Sequence, residues 1–365
     1  MKSAGRRNKV LTVVGARPQF VKCSPVSKIL RNQLVEILIH TGQHYDSNLS
    51  EIFFKELMIP KQEINLGIGS DSHAVQTGKM MIELEKTFNE LKPDIVLIYG
   101  DTNSTLSAAL AAAKLNIPIA HVEAGLRSYN RLMPEEINRI LSDKLSSLLF
   151  CPTPTSTNNL KKEGIDSGVH YVGDVMYDAI LQNVKIAESK SNVLNKLGLI
   201  PEAYYLATIH RAENTDNPEN LKNILSAFRS LDKKVILPLH PRTFQIIKTT
   251  GLRSHINDNI NIIDPLSYLD MIAAQKNTSK IFTDSGGIQK EAYFLRRPCI
   301  TIRNETEWTE TIDMGVNVLT GTSPERIIDA ALNFDPSFES TSVFGDGNAS
   351  EKIVEILLKF LQTGV

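Results

Sequence analysis

KIFTDSGGIQKEA, residues 280–292, runs from a strand-length apolar segment through Thr-Asp-Ser into two glycines and then a helix-like string. Paired glycines weaken any regular element they sit in. Here they mark a tight strand-to-helix turn, or a place where backbone must meet a ligand. Strand followed at once by helix is the repeating unit of a parallel α/β sheet. A helix that opens with Ser285, Gly286 and Gly287 presents unpaired backbone N–H groups at its positive end, and the missing side chains let a phosphate approach them. These three residues are candidate ligands of a diphosphate. Glu291 lies four residues after Gly287, on the same helix face one turn further in. A carboxylate there can accept both hydroxyls of a ribose.

The same alternation extends over the whole chain. KVLTVVG, VEILIHTG, DIVLIYGD, PIAHVEA and SLLFCPT form a first set of strand candidates; YYLATIH, KVILPLH, NINIIDP, KIFTDSG and CITIRN form a second, with helical stretches such as PENLKNILSAFRSL between them. The expected fold is α/β, with two doubly wound, Rossmann-like domains: residues 1–175, residues 176–348, and a C-terminal amphipathic helix, 349–365, that caps its own domain or packs back on the first. A length of 365 residues suits two such cores. With 40 Lys plus Arg against 41 Asp plus Glu, the net charge of −1 offers no field for nucleic acid. Cys23, Cys151 and Cys299 fit no metal spacing and sit in or beside apolar segments, as reduced core residues do. The basic start MKSAGRRNK is followed by too short an apolar run for a signal peptide, and no segment is long enough to span a bilayer. A cytoplasmic setting, without membrane association, is the expectation.

In doubly wound folds functional groups gather just after the strands. The segments there are GARPQ, TGQH, GDTNST, VEAGLRS, HRAEN, HPR, DPLSY, DSGG and RNETEW. Singly, Arg17 can be a surface ion-pair partner, Asp101 a helix cap, and His210 or His240 a satisfied core histidine. As a set, reactive side chains at nearly every strand end point to a ligand site. Two other patterns carry less. GIGSDS lacks the third glycine of a dinucleotide fingerprint and follows no strand. His121 and Glu123 of HVE have no obvious third metal ligand.

GARPQFVK, TGQH, YGDTNST, HVEAGLRS, MPEEINR, TIHRAEN, LPLHPR, DSGGIQKEA and RNETEW, in this order from about residue 9 to 345, resemble the non-hydrolysing UDP-N-acetylglucosamine 2-epimerases. The resemblance implies a glycosyltransferase-B type fold with the two domains around a cleft. It also implies no metal, no cofactor, a homodimer, and C2 epimerisation of a UDP-2-acetamido sugar. UDP leaves C1, a carboxylate removes the C2 proton, and a 2-acetamidoglucal remains. Reprotonation on the opposite face and re-addition of UDP give the epimer.

Carried over by motif, the catalytic candidates are Asp101, Glu123, Glu135 and His210. UDP-sugar-binding candidates are Arg17, Gln43, His44, Arg139, Arg211, His240, Ser285, Gly286, Gly287 and Glu291. Glu136 and Glu307 are held in reserve, and Glu213 is a possible support for the His210–Arg211 pair. Glu135 and Glu136 open a helix about 100° apart, so only one of them faces the sugar; Arg139, one turn on, can orient it or touch phosphate. The spellings QHYDSN and ETEWTE look more like the branch that epimerises UDP-2,3-diacetamido-glucuronate or 6-deoxy amino sugars. A glycosyltransferase of the same fold is the other enzyme class considered.

Overall fold

The computed structural model describes residues 7–43, 62–338 and 343–363. These fall into two compact units, one within Met1–Ala179 and Thr341–Val365, the other within Ile180–Ser340. In the first, β1 (Lys9–Val14), β2 (Val35–His40), β3 (Ile64–Asn65), β4 (Ile95–Tyr99), β5 (Ile119–Val122), β6 (Leu148–Cys151) and β7 (Val169–Tyr171) form a parallel sheet in the order β3-β2-β1-β4-β5-β6-β7. Among the described residues, the helices of this part of the chain are α1 (Arg17–Gln33), α2 (His73–Leu91), α3 (Asn103–Lys114), α4 (Pro134–Leu145), α5 (Pro154–Lys162) and α6 (Val175–Lys190), and the boundary between units falls inside α6. Strands covered on both faces must be apolar almost throughout. KVLTVV is accordingly buried from Val10 onward, and IVLIY is buried throughout. Leu11, Val13, Val96 and Ile98 pack with Met80, Leu84 and Phe88 of α2 and with Ala108, Ala109, Ala111 and Ala112 of α3. The small residues of NSTLSAALAAAK let α3 lie close between the sheet and its neighbours, and its start is capped by Thr102, whose hydroxyl accepts from Thr105 N.

The second unit repeats the plan. β8 (Tyr204–Thr208), β9 (Lys234–Pro238), β10 (Ile260–Ile263), β11 (Lys280–Thr283), β12 (Cys299–Thr301) and β13 (Asn317–Leu319) pair in the order β10-β9-β8-β11-β12-β13, again all parallel. Its helices are α7 (Val193–Leu197), α8 (Ala212–Thr215), α9 (Pro218–Arg229), α10 (Pro241–Thr249), α11 (Tyr268–Asn277), α12 (Gly286–Phe294), α13 (Thr309–Asp313) and α14 (Pro324–Asn333). In each sheet the strand order reverses once, between β1 and β4 and between β8 and β11. A crevice opens outside the carboxyl ends at such a switch point, which is where ligands bind in this class of fold.

All ten strand candidates of the sequence form strands. β3, β7 and β13 were not anticipated: they are edge strands of two or three residues, IN, VHY and NVL, each containing a polar residue and too short to leave an apolar run. The three cysteines are buried and free, and burial pushes the Cys151 and Cys299 thiols up to about 12.

The last helix, α15 (Ala349–Thr363), packs on α1 in the first unit. Its first N–H groups, those of Ala349 and Ser350, donate to the buried carboxylate of Asp178. Residues 343–348, placed within the second domain by the sequence reading, stand with the first unit. On its way to α15 the chain crosses Val172-Gly173 at Gly345; the two glycines have φ of 94° and 86°. A Cβ on Gly345 would fall 2.7 Å from Gly173 Cα. Gly164, with φ 73°, has open space around it. Gly345→Ala is therefore expected to cost about 3 kcal/mol from backbone strain and overlap together, and Gly164→Ala about 1 kcal/mol from strain alone. Urea denaturation of both variants checks the difference; equal losses would contradict the close crossing.

Candidate active site

In the second unit the opening stretch folds as a strand, a turn and a helix. Ser285 is the N-cap of α12, its hydroxyl accepting from Ile288 N at 3.5 Å. The two glycines serve different ends. A Cβ on Gly286 would sit 2.2 Å from Glu307 Oε1 and 3.2 Å from Trp308 Nε1, so glycine is required there by packing. Gly287 is exposed, with nothing but the Ser285 hydroxyl near its missing Cβ. The open end of the helix is thus Gly287, and Gly286 is what lets the Glu307–Trp308 segment close against it.

Asp284, completely buried, holds this turn to the end of β8. Its carboxylate accepts from the backbone N–H groups of His210 and Arg211 and from Asn214 Nδ2, each near 3.1 Å, and lies 3.0 Å from His210 Nδ1. Burial opposes the charge, but the bonds from His210, Asn214 and Arg211 outweigh it and hold the carboxyl below its usual range. The His210 side chain, 57% exposed, is fixed through Nδ1 and turns its other edge outward. Arg303, at the end of β12, is 3% exposed; it donates to Glu307 at 3.0 Å, and its Nε lies 3.9 Å from Glu213. His240 caps α10, its Nδ1 accepting from Arg242 N. Glu291 is buried one turn into α12, where Gln275 Nε2 donates to it at 2.6 Å. Burial pushes its carboxyl up to about 7 against the opposing pull of Gln275, Lys290 and Tyr268.

The carboxylates of the first unit stand at the ends of β4 and β5. Asp101 Oδ2 accepts from Arg139 Nε and NH2 at 3.0 and 2.7 Å, and Asp101 O accepts from Asn138 Nδ2. Arg139 NH1 reaches Glu136 at 3.1 Å. Glu136 is buried and spends its oxygens on the N–H groups of Ser128 and Tyr129 and on the Ser128 hydroxyl, latching the 127–133 loop. Burial works against its ionisation, yet these bonds and Arg139 hold its carboxyl below the usual range. Glu135, its neighbour, is exposed. Arg139 therefore orients Asp101 and Glu136. Glu123, with φ 70° and 7% exposure, pairs with Lys22 Nζ. A Cβ on Gly100 would lie 3.4 Å from Glu123 Oε2 and 3.5 Å from Lys22 Nζ, so Glu123, Lys22 and the backbone just before Asp101 form one cluster. Arg17 begins α1 and is half-buried. Gln43 caps α3 instead of standing open: its Oε1 accepts from Ser104 N and from the Ser104 hydroxyl. His44 lies outside the described residues.

Lys22, Asp284 and Arg303 were not among the residues singled out from sequence. A lysine between Val21 and Cys23 in an otherwise buried run was the available signal for the first. For Asp284 and Arg303 the signal was their place at the ends of β11 and β12.

The family described as UDP-N-acetylglucosamine 2-epimerase matches residues 28–358. A Methanococcus maripaludis protein named UDP-N-acetylglucosamine 2-epimerase homolog is 54% identical, covering 96% of this chain and 99% of its own length. A Pseudomonas aeruginosa protein named UDP-2,3-diacetamido-2,3-dideoxy-D-glucuronate 2-epimerase is 46% identical over 96% of this chain and 99% of its own. The crystal structure of Methanocaldococcus jannaschii UDP-GlcNAc 2-epimerase in complex with UDP-GlcNAc and UDP superposes with a TM-score of 0.90 at 45% identity, covering 96% of this chain and 99% of that one.

The raised carboxyl of Glu291 predicts a signature in stability. The folded protein holds this proton up to about pH 7, the unfolded chain only to about 4.3. Stability from the bound proton is complete below the unfolded value and is lost as pH rises through 7. Glu291→Gln has no proton to lose. The stability of this variant minus that of the parent should grow by about 3 kcal/mol between pH 4 and pH 8. Denaturant titrations at both values check it; a pH-independent difference would contradict the assignment.

Proposed function

The chain belongs to the UDP-N-acetylglucosamine 2-epimerase family, and from that premise we propose that it is an isomerase interconverting UDP-GlcNAc and UDP-ManNAc by eliminating UDP and adding it back. The observation that carries this reading is the pair of carboxylates at adjacent strand ends, Asp101 against Arg139 and Glu123 against Lys22. Epimerisation at C2 needs a proton removed from one face of the ring and another delivered to the opposite face, which is work for two separately placed acids. Exposed Glu135 is the third candidate, since Glu136 is committed to its loop.

The C2 hydrogen is too weakly acidic to be taken from the intact sugar. Departure of UDP builds oxocarbenium character at C1 and makes the neighbouring C–H removable. Stabilising the departing diphosphate is then the main electrostatic task. Gly287 at the open end of α12, the outward edge of His210, and Arg211 are suited to it. Glu291, with Gln275 beside it, supplies the acceptor for the ribose.

A second reading keeps the reaction and changes the sugar. The Pseudomonas aeruginosa relative and the ETEWTE spelling favour UDP-2,3-diacetamido-glucuronate. We assign the enzyme to the cytoplasm, a reading supported by its charged nucleotide-sugar substrate; no helix among the described residues is long and apolar enough to cross a membrane. A homodimer, which the family resemblance implies, is supported by the apolar side chains exposed on α2 and α4, Val75, Ile82, Ile137 and Leu141. Light scattering should give twice the 40.6 kDa chain mass, and the chain mass itself would rule the dimer out.

In heavy water without an acceptor, UDP-GlcNAc should gain deuterium at C2 with UDP still attached. The diacetamido-glucuronate, offered separately, distinguishes the two sugars. Asp101→Asn, Glu123→Gln and Glu135→Gln should each slow the exchange by about 10²-fold or more while retaining UDP binding. Glu291→Ala should weaken UDP itself by roughly tenfold. Full exchange in all three amide variants would overturn the catalytic assignment, and no exchange with either sugar would overturn the reaction.

A further inference from the structure

We propose that His121, backed by Asp143, is a positioning residue for the epimerisation: it clamps the carbonyl of Gly100 and so fixes Asp101 and Glu123 relative to each other. The proposal rests on the reading of the reaction given above. His121 lies in β5, two residues before Glu123, and is completely buried. Its Nε2 is 2.7 Å from Gly100 O and its Nδ1 is 2.8 Å from Asp143 Oδ1. A carbonyl oxygen only accepts, and so does an ionised carboxylate, so the ring donates from both nitrogens. Neither nitrogen is left for a metal, which disposes of the HVE pair as a metal motif.

What the clamp joins makes it more than a satisfied core histidine. Gly100 is the residue between β4 and Asp101, and a Cβ placed on it would be in van der Waals contact with the Glu123–Lys22 pair. Asp143 belongs to α4, the helix that also carries Glu135, Glu136, Asn138 and Arg139. Asn138 and Arg139 in turn hold Asp101 from the other side. One imidazole therefore ties the β4 end, β5 and α4 together, and each of these three contributes a carboxylate.

The rest of the Asp143 shell fastens the fourth piece. Its second oxygen accepts from Gly125 N at 3.1 Å and from Arg127 NH1 at 2.7 Å. Arg127 is held in its turn by Glu163 and by Leu126 O. These bonds pin the 123–127 segment, which begins with Glu123. Burial disfavours an ionised Asp143, but His121 and Arg127 together outweigh it and keep the carboxyl below its usual range. Without the His121 N–H, Gly100 O loses its bond inside the protein, and the strand end that carries Asp101 is released. A shift of about 1 Å in a group that must meet a reacting bond costs on the order of 10²-fold in rate.

The test uses the full-length protein and UDP-GlcNAc. His121→Gln should lower kcat for C2 epimerisation by roughly 10²-fold, with KM within about twofold of the parent and calorimetric UDP affinity unchanged, because the residue meets neither nucleotide nor sugar. A kcat within threefold of the parent overturns the proposal. So does a parallel loss of kcat, KM, UDP affinity and thermal stability, which would mark a merely structural residue. Asp143→Asn, which keeps the shape and loses the charge, should show the same split between kcat and KM and stands in should His121→Gln fail to fold. Nitrogen-15 spectra of histidine-labelled parent protein should show a proton on His121 Nε2, the nitrogen facing Gly100 O, assigned by its absence in His121→Gln or by its shift in Asp143→Asn. A bare Nε2 overturns the clamp whatever the reaction proves to be. A parent enzyme that leaves both sugars unexchanged sinks the functional reading, while the spectra still decide the clamp.

Discussion

A buried carboxylate stands behind the candidate residues of each unit, and the placement of the reactive groups in that unit depends on it. Asp284 in the second unit and Asp143 in the first are almost wholly removed from solvent. A lone buried charge would be strongly destabilising; it is tolerated only when hydrogen bonds and opposite charge surround it. Each of these acids gathers its donors from one segment earlier in the chain. Asp284 takes them from His210, Arg211 and Asn214, and Asp143 from His121, Gly125 and Arg127. The geometry is coercive because every donor must arrive for the charge to be stable. The loops at these strand ends are thereby fastened to the buried acids.

This arrangement suits the chemistry. A reaction that releases a diphosphate and then recaptures it on the same intermediate gains from donors that do not rearrange between the steps. The outward edge of His210 is aimed by Asp284, and the open N–H groups at Gly287 are aimed by the strand-to-helix turn that Asp284 anchors. On the other side of the reaction, proton removal and return need carboxylates in fixed and different surroundings. Asp101 with a bidentate-donating arginine and Glu123 with a lysine are two such surroundings at adjacent strand ends.

Ten strands were legible in the sequence because parallel strands buried on both faces are apolar almost throughout, and the strand ends could then be read off as positions. Residue type plus position put Asp101, Glu123, His210 and the DSGG turn at strand ends, where the structure also has them. What it could not do was separate side chains that face the ligand from those that hold the scaffold. Glu135 and Glu136 are adjacent and chemically identical, and only the 127–133 loop, which folds back onto Glu136, tells them apart. Gln43 and His240 stand at the expected strand ends yet are engaged as helix caps. Asp284 was in view in the opening stretch but read as part of a turn, since its partners lie some seventy residues earlier in the chain. Gly286 and Gly287, taken together as a phosphate nest, differ in purpose: one accommodates Glu307 and Trp308, the other leaves the helix end open.

The central claim is that the bond between C1 and the diphosphate breaks and re-forms during each inversion at C2. Oxygen-18 placed in the bridge between C1 and the β-phosphorus of UDP-GlcNAc tests it directly. Once UDP is released within the site, rotation about the β-phosphorus makes its oxygens equivalent, so phosphorus NMR should show label moving from the bridge to non-bridging positions at a rate comparable with epimerisation. Formation of the C2 epimer with all the label still in the bridge would contradict elimination and re-addition and would require proton exchange on the intact sugar nucleotide.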